Sequence, residues 1–381
     1  MSSAQEMSVF TSLSDDVRQL LSRLDIVVPT YNRPEYALRL MRFWSGTGAR
    51  VLVLDGSDQA IDSHLIAELG KNIEYLHLPM SYQERFRYAT GIVSREFQMM
   101  MSDDELYVPS AVASAIEHLD ENPAHWAATG RVIRFYCKNG NVLGEEWYTG
   151  YNNYVQSALV ADQVQRAYQF EVPHYAMLGV IRGDHWRDLW STIFRHDYTC
   201  PYAYEAMFHM TAPYIGITWV IDELLWLRSA ETDENVSPTW NRRMPLHEWY
   251  DNEEYRGERL LWEQSVAAII TRFAGTPRTQ AEVSEIASFI INRQLAGSRP
   301  KSYTWTPGQR MHRTLRRVTP QAIRTVLKSV LPTRALRRLG YSANSLIEVA
   351  ESMSNRGVSV DAQQLRETVE CIRDFHEARQ H

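Results

Sequence analysis

Three adjacent acidic residues, Asp103, Asp104 and Glu105, are the part of this sequence best suited to do chemistry. They follow Phe97 to Met101, a short apolar run with the length of a buried strand. In an open α/β sheet the carboxyl ends of the strands border the ligand crevice. Adjacent carboxylates there suit a hard divalent cation that also holds phosphate oxygens. The stretch therefore predicts a site for a metal ion and a diphosphate.

A purely structural role for the same acids is the alternative. Ser102 and Glu105 have the spacing of a capping box, in which acidic side chains complement a helix dipole. Pro109, however, is well placed as the first residue of the helix predicted for Ser110 to Leu119. That placement leaves 102–108 outside the helix as a connecting loop.

The segments before the acidic stretch alternate between strand and helix patterns. The predicted strands are Asp25–Pro29, Ala49–Leu54, Ile73–Leu78 and Phe97–Met101. The predicted helices are Asp15–Leu24, Glu35–Trp44, Ile61–Leu69 and Tyr82–Arg95. Strands that alternate with helices indicate parallel pairing and right-handed crossovers, which form a Rossmann-like half-domain.

Polar loops follow three of these strands, at Thr30-Tyr31-Asn32, at Asp55-Gly56-Ser57 and at the three acids. Because parallel strands end at one edge of a sheet, all three loops are expected to open onto one crevice, where a nucleotide would lie. The chain contains neither a GxGxxG nor a GxxxxGK[ST] motif. A bound phosphate is therefore expected to need a metal ion rather than a glycine-rich cradle.

Composition narrows the class of protein. The 381 residues are 44% hydrophobic and 23% charged with a net charge of -6, which is ordinary for a globular protein and gives no reason to expect nucleic acid. Three widely spaced cysteines favour a reducing compartment over a disulfide framework or a zinc site. The N-terminus does not resemble a signal peptide, and no stretch has the length of a membrane span, so a cytoplasmic location is expected.

The motifs DIVVPTYNRP, VLDGS and MMSDDE, in this order, resemble the start of a GT-A fold glycosyltransferase of the family 2 type. The resemblance covers 25–122 well and 175–228 loosely. It implies a Rossmann-like, mostly parallel sheet flanked by helices, and an enzyme that takes a sugar from a nucleotide-diphosphate sugar.

The resemblance also implies roles for particular residues. Those expected to line the base and ribose are Pro29, Thr30, Tyr31 and Asn32. Those expected at the nucleoside or the diphosphate are Asp55, Arg85 and Arg87. Asp103 is expected near the ribose or a metal-bound water. Asp104 and Glu105 are expected to carry the divalent cation, Mg²⁺ or Mn²⁺.

Two positions depart from the family pattern. Leu54 stands where the family has the first Asp of Asp-Asp-Gly-Ser, and Glu105 stands where it has the last Asp of DxD. The first change removes a nucleoside contact, and the second lengthens a metal ligand, which puts metal dependence in doubt. Local alternatives also remain, since Asp55-Gly56 is a common turn signal.

The acceptor half needs a base that takes the proton of a hydroxyl group. In the resembled family an acid at a helix start serves as this base, and Glu205 stands at the corresponding distance from the acidic stretch. Asp197 is the main rival, with Asp184 and Asp222 behind it, and a first-turn acid that only complements the helix dipole is the alternative. His247 is a weaker candidate for a metal or phosphate contact, and a structural histidine is the alternative.

Further elements are predicted after Pro123. The predicted strands are Trp126–Tyr136, Val142–Tyr148 and Tyr175–Ile181. The predicted helices are Ala161–Phe170 and Ala206–Thr211, and the resemblance implies a further helix over Ile217–Arg228. The segment 229–254 has the length and composition of an active-site lid, from which Arg242 and Arg243 would reach the diphosphate. A surface loop is the alternative.

The C-terminal region differs in charge. Residues 301–340 contain ten Lys or Arg and no Asp or Glu, with apolar residues at helical spacing between them. This pattern is typical of a basic amphipathic helix that binds the inner face of the plasma membrane. Packing on the catalytic domain is the alternative, and RNA binding is a weaker one because no RNA-recognition motif accompanies the arginines.

Together these observations predict an N-terminal helical lead-in (1–24), a GT-A catalytic domain (25–274) and a basic helical C-terminal region (275–381). Within the catalytic domain, 25–122 would hold the nucleotide sugar, and 123–274 would hold the acceptor and the lid. The expected activity is inverting transfer from a nucleotide-diphosphate sugar, with a UDP-sugar favoured, to a hydroxyl of a glycan or lipid-linked acceptor in bacterial surface-polysaccharide synthesis. The alternatives are a nucleotidyltransferase on a related fold and a non-catalytic sugar-binding scaffold.

Overall fold

One sheet of nine strands organises the part of the chain that the structure describes. The structure is a computed structural model and describes residues 9–10, 13–148, 152–170, 174–231, 244–299 and 344–379. The strands are β1 (Leu24–Thr30), β2 (Arg50–Asp55), β3 (Ile73–His77), β4 (Phe97–Met100), β5 (Leu106–Tyr107), β6 (His125–Lys138), β7 (Asn141–Trp147), β8 (Val180–Arg182) and β9 (Ile217–Ser229). Their order is β3-β2-β1-β4-β8-β6-β9-β5, and β7 pairs with β6.

The strands β3, β2, β1 and β4 pair in parallel. Thr30 at the end of β1 lies opposite Asp55 at the end of β2, and Val27 lies opposite Met100 at the end of β4. Since β1, β2 and β4 consist almost entirely of buried residues, helices cover the sheet on both faces. The loops after these three strands therefore leave the sheet side by side.

The second half of the sheet is mixed. The long strand β6 pairs in parallel with β9 and antiparallel with β7 and β8, while the short β5 pairs antiparallel with β9. Together with the flanking helices, this arrangement confirms the predicted α/β fold class, with a parallel first half of the sheet and a helical C-terminal region.

Helices surround the sheet. In chain order they are α1 (Asp15–Leu21), α2 (Pro34–Trp44), α3 (Ser63–Ala67), α4 (Tyr82–Ile92), α5 (Pro109–Glu121), α6 (Asn152–Ala158), α7 (Gln163–Gln169), α8 (Gly183–Ile193), α9 (Tyr202–Ile215), α10 (Leu246–Asp251), α11 (Arg256–Arg272), α12 (Gln280–Ser298), α13 (Leu346–Ser354) and α14 (Ala362–Ala378). As predicted, α5 begins at Pro109, so the acids 103–105 lie outside it in a loop.

Two predicted elements were wrong. The segment 217–228, expected as a helix, is strand β9, because it pairs along β6 and because its β-branched residues at 217, 218 and 220 suit a strand. The segment 175–181, expected as a strand, is a 3₁₀ helix (His174–Leu178) followed by the short strand β8.

A buried aromatic cluster joins α4, α8 and α9. Phe86 stacks on Phe194 with ring centroids 4.6 Å apart, and Phe194 stacks on Tyr204 at 5.0 Å. Trp190 stacks on Phe208 at 5.5 Å. Each such pair contributes roughly 0.5–1.5 kcal/mol beyond the area it buries. The cluster places the first turn of α9 beside the end of β4.

The C-terminal helices fold back onto the sheet and onto α2. Ser345, just before α13, forms an antiparallel bridge with Leu143 of β7. On α14, the ring of Phe375 lies 5.0 Å from the ring of Tyr36 on α2. In α14, His376 also contacts Glu231, which follows β9. Residues 344–379 therefore share the core of the sheet.

Two predictions lie outside the described residues. They concern Arg242 and Arg243 in the proposed lid, since 232–243 are not described, and the basic segment 301–340. Within the described ranges, no helix combines the length and the apolar character needed to cross a membrane.

Candidate active site

The acidic loop after β4 is held by the loop after β1. Asp103 accepts a hydrogen bond of 2.7 Å from the Thr30 hydroxyl and one of 2.8 Å from Arg33. The other terminal nitrogen of Arg33 donates to Asp104 at 2.7 Å. One guanidinium therefore bridges two carboxylates. Burial raises the pKa of Asp103 to about 7, although Arg33 and Thr30 favour the ionised form.

A second arginine holds the backbone of the same loop. Arg39 on α2 donates to the carbonyl oxygen of Asp104 at 2.9 Å and forms a bidentate ion pair with Glu231. The side chains of this pair are 2% and 0% exposed, so neither charge is solvated. His376 of α14 also contacts Glu231. Burial alone would raise the pKa of Glu231, but Arg39 and His376 outweigh burial and lower it.

Arg85 of α4 joins the ends of β1 and β2. Its guanidinium donates to the carbonyls of Thr30 and Leu54, each at 2.6 Å, and its Nε atom is buried with no hydrogen-bond partner among the described residues. Gly56 makes this close approach possible, since a Cβ there would lie 2.6 Å from the Arg85 Cζ atom. Leu54, which stands where the resembled family has an Asp, thus accepts a hydrogen bond from Arg85 through its backbone carbonyl.

Asp55 is buried in a network of its own. Its carboxylate accepts hydrogen bonds from the backbone and hydroxyl of Ser57 at 2.9 and 2.5 Å and from the Tyr75 hydroxyl at 2.5 Å. The Ser57 hydroxyl also accepts a bond of 2.8 Å from the backbone N–H of Asn32, which lies at a positive φ of 53°. These bonds tie the loop after β1 to the loop after β2.

A crevice of about 520 Å³ opens at these strand ends, and its volume is typical of a small-molecule site. The predicted residues that line it are Pro29, Thr30, Tyr31, Arg85, Asp103, Asp104, Glu105 and Glu205. The lining residues that sequence reasoning did not name as site residues include Arg33, Tyr82, Tyr148, Met177, Trp226 and Arg228. The crevice therefore joins residues from both predicted halves of the catalytic domain.

Glu205 enters the crevice from the first turn of α9. Burial raises its pKa to about 7, while the charge of Arg228 favours the ionised form and offsets part of this shift. A carboxylate that exchanges protons near neutral pH is suited to general base catalysis. The structure thus places Glu205 in the crevice, and its role as the base stays a prediction.

Arg228 and Tyr148 form the wall near Glu205. Arg228 donates to the Tyr148 hydroxyl at 2.7 Å, and the Tyr148 ring stacks on Trp226 with centroids 5.8 Å apart. Trp226 stacks in turn on Tyr107 at 5.9 Å. Tyr148 has a φ of 54°, an unfavourable backbone conformation for a bulky residue that these contacts maintain.

Other predicted residues lie outside the crevice. Arg87 pairs with Asp197 and donates to the carbonyl of Phe194 at 2.6 Å, where α4 meets the end of α8. The Asp197 side chain is 71% exposed. His247 lies on α10, with its Nε2 atom 4.0 Å from the Oε1 atom of Glu248. Asn32 and Asp55 stand behind the crevice and support its edge through the network described above.

The carboxylates fit a cation in part. Asp103 and Asp104 already face one positive group, the Arg33 guanidinium, and hard oxygen ligands of this kind suit Mg²⁺ or Mn²⁺ when phosphate completes the shell. Glu105 differs, because its Oε2 atom is buried with no hydrogen-bond partner in the described part of the chain. Burial and the neighbouring Asp104 raise its pKa well above the usual range.

No group of three or more His, Cys, Asp or Glu side chains among the described residues converges as a metal cage. A cation could take Asp103 and Asp104 from the protein and the rest of its ligands from elsewhere. Glu105 lines the same crevice and His247 does not, and the metal roles of both stay predictions.

Sequence reasoning missed several residues for identifiable reasons. Arg33 was visible as the next-to-last letter of the quoted DIVVPTYNRP motif but was assigned no role. Arg39 carries no local signal, because its partner Glu231 is 192 positions away. Arg228 and Tyr148, 80 positions apart, come together only through the pairing of β6 with β7 and β9.

Comparison with known proteins finds a likeness among solved structures. No protein-family model matches this chain. A search of curated proteins finds no match either. Solved structures of residues 1–349 of S. aureus TarS are similar at 13% identity over 94% of this chain and 91% of theirs, with TM-scores of 0.42 for one structure and 0.43 for the complex with UDP-GlcNAc.

A further structure of S. aureus TarS is matched over 55% of its length at 13% identity, with a TM-score of 0.41. Because the identities and TM-scores are this low, these structures assign no role to any side chain of this chain.

Proposed function

We propose that this protein is an inverting glycosyltransferase that moves a sugar from a nucleotide-diphosphate sugar, with a UDP-sugar favoured, to a hydroxyl acceptor. The single observation that carries the proposal is the crevice that joins the strand-end loops around Asp103 and Asp104 to Glu205 on α9. Paired carboxylates can hold a divalent cation on the diphosphate side of such a reaction, and a carboxylate with a pKa of about 7 suits the acceptor side.

On the donor side, the loop Pro29–Tyr31 provides the surface for the nucleoside. Arg85 lies beside it, with a buried Nε that has no hydrogen-bond partner among the described residues. Arg85 also lines the crevice, so its positive charge can attract a ligand oxygen there. Arg85 is therefore assigned to an oxygen of the nucleotide.

On the acceptor side, Glu205 takes the proton of the attacking hydroxyl while the oxygen attacks the anomeric carbon opposite the leaving diphosphate. Its raised pKa keeps it close to half-ionised at neutral pH, where a general base is most effective. Arg228 and Tyr148 line the same wall and contribute polar groups for the sugar or the acceptor. The acceptor proposed here is a glycan or a lipid-linked glycan of surface-polysaccharide synthesis.

Asp103 and Asp104 would hold the divalent cation. When bound, it supplies positive charge to the departing diphosphate. Contact with the inner face of the membrane through 301–340 remains part of the proposal for the acceptor side, and vesicle binding before and after removal of that segment tests it.

The test starts from the purified full chain. Nucleotide sugars are screened by thermal shift, because a donor that binds only the native state raises the melting temperature. Release of nucleoside diphosphate is then measured with Mg²⁺ or Mn²⁺. Asp104→Asn should abolish release, while Asp120→Asn, which removes a carboxylate from the surface pair with Arg23, should not.

Three outcomes would contradict the proposal. Absence of binding and turnover with every donor, together with no effect of Asp104→Asn, would exclude a glycosyltransferase. Release of pyrophosphate would indicate a nucleotidyltransferase. Sugar binding without turnover across a series of metals would indicate a non-catalytic binding protein.

A further inference from the structure

Two neighbouring carboxylates in the crevice, the buried Asp103 and the partly buried Asp104, share one arginine. The side chains of Asp103 and Asp104 are 5% and 15% exposed, so their mutual repulsion is poorly screened by water. Arg33 donates one terminal nitrogen to each, at 2.8 and 2.7 Å. The forked guanidinium matches this bridging geometry, which a lysine ammonium would not reproduce.

We propose that Arg33 is the resident counter-cation of Asp103 and Asp104, and that a divalent cation binds this pair only by displacing it. This rests on the proposed function in one respect, namely that the pair is where a cation binds. A guanidinium and a divalent ion cannot both bind the same oxygens, because two positive charges a few Å apart repel strongly in a buried site.

The elements around the pair allow this exchange. Arg33 belongs to the short loop between β1 and α2, and its guanidinium also lies 4.5 Å from the ring centroid of Tyr36. That cation–π contact does not involve the carboxylates, so it remains available when the ion pairs break. The acidic loop itself stays in place, since the Thr30 hydroxyl holds Asp103 and Arg39 holds the carbonyl of Asp104.

Displacement has a consequence for the order of binding. Without a nucleotide donor, Arg33 lowers the affinity of the two carboxylates for a metal ion, because the ion must first break two charge-assisted hydrogen bonds. A diphosphate brings negative charge that both cations can share. Metal and donor are therefore expected to bind more tightly together than the metal does alone.

The experiment measures Mn²⁺ binding to the full chain by the EPR signal of free Mn²⁺, at one pH and with no nucleotide present. Arg33→Gln should bind Mn²⁺ at least about tenfold more tightly than the unmodified chain, the effect of removing a competing charge-assisted contact. Arg33→Lys, which keeps the charge but loses the fork, should lie between the two. Asp104→Asn in the Arg33→Gln background should remove the gain.

Equal or weaker Mn²⁺ binding by folded Arg33→Gln would overturn the proposal, as would undetectable binding by every variant. If Arg33→Gln does not fold, as judged by its melting curve, Arg33→Lys decides the question by the same criterion. Because no nucleotide sugar is present, the result does not depend on catalysis. Tighter Mn²⁺ binding by Arg33→Gln without sugar transfer by the unmodified chain would support this proposal and contradict the proposed function. Sugar transfer without tighter Mn²⁺ binding would support the proposed function and contradict this proposal.

Discussion

Arg39 donates a hydrogen bond of 2.9 Å to the carbonyl oxygen of Asp104 while its guanidinium pairs with the fully buried Glu231. The acidic loop of the crevice is thereby attached to the residue that follows β9 and, through His376, to α14. The C-terminal helix is thus connected to the site through the His376–Glu231 contact and the Arg39–Glu231 ion pair. Two consequences, for stability and for donor binding, can be measured separately.

Arg39→Ala should lower the free energy of unfolding by about 3–5 kcal/mol, because it leaves the Glu231 carboxylate buried without its main partner. Urea denaturation of the full chain measures this loss. Arg39→Met combined with Glu231→Leu should recover much of the stability, since an apolar pair can replace a buried ion pair at little cost.

The double variant also tests whether Arg39 positions the acidic loop for donor binding. It has no donor to the Asp104 carbonyl, so nucleotide-sugar binding should stay weak even where stability returns. Full recovery of binding in the double variant would show that Arg39 has only a structural role.

Glu205→Gln should reduce kcat by at least about 100-fold, the usual contribution of a general base, and leave donor binding nearly unchanged.

Burial raises the pKa of Glu205 to about 7, and the base form is the ionised one. In the unmodified enzyme kcat/KM should therefore fall as the pH drops below about 7, tenfold per pH unit. A steady-state pH profile with a saturating acceptor measures this limb.

Asp197→Asn is the matched control for Glu205, since it removes the rival carboxylate from an exposed pair with Arg87. It should cost at most about 1 kcal/mol of stability and keep the acid limb of the profile. Loss of turnover in Asp197→Asn with full activity in Glu205→Gln would assign the base to Asp197.

Glu205 should also make stability depend on pH. Its folded pKa is raised above the unfolded value, so its contribution to stability is fully present below about pH 4.5 and is lost as the pH rises through about 7. A glutamine at this position does not ionise, so Glu205→Gln does not lose this stability as the pH rises. The variant should therefore melt a few degrees above the unmodified chain at pH 8, with the difference vanishing near pH 4.

Melting curves at the two pH values provide the measurement. An equal difference at pH 4 and pH 8 would show that Glu205 is solvated in the native state and ionises without a penalty.

Gly56→Ala should weaken donor binding by about tenfold or more, because the new Cβ would lie 2.6 Å from the Arg85 Cζ atom and move the guanidinium from the carbonyls of Thr30 and Leu54. Isothermal titration with the best donor from the thermal-shift screen measures the change.

Gly91→Ala is the control for this substitution. Gly91 is exposed on α4, the helix that carries Arg85, and a Cβ there would meet nothing within 4 Å. Donor binding should be unchanged, and stability should rise by up to about 1 kcal/mol because alanine favours a helix over glycine. An equal loss of binding in both variants would show that Gly56 has no special relation to Arg85.

The local order of this fold was readable because its signals are local. Apolar runs of strand length, each closed by Pro, Gly or acidic residues, alternate with helical spacing as far as residue 100, and the structure has β1 to β4 and α1 to α4 at these places. Parallel pairing then brings the strand ends to one edge. The common position of Thr30 and Asp104 in the crevice followed from that pairing, whereas Asp55 in the loop after β2 stands behind it.

Local patterns did not predict the structure where neighbours in space decide it. Residues 217–229 have mixed apolar and acidic spacing, and only their pairing with β6 makes them a strand. Likewise, Arg85 and Arg87 stand on one helix two residues apart, so they point to different sides, one into the crevice and the other toward Asp197.

By itself, then, the sequence determined the order of strands and helices, the acidic loop after β4 and the placement of Glu205 at a helix start, because each depends on short-range periodicity and turn chemistry. Only the tertiary structure decided that Arg33 bridges Asp103 and Asp104, that Arg39 pairs with Glu231 and that Arg228 meets Tyr148. These contacts join residues 70 to 192 positions apart. They depend on strand pairing and side-chain direction, which no local pattern encodes.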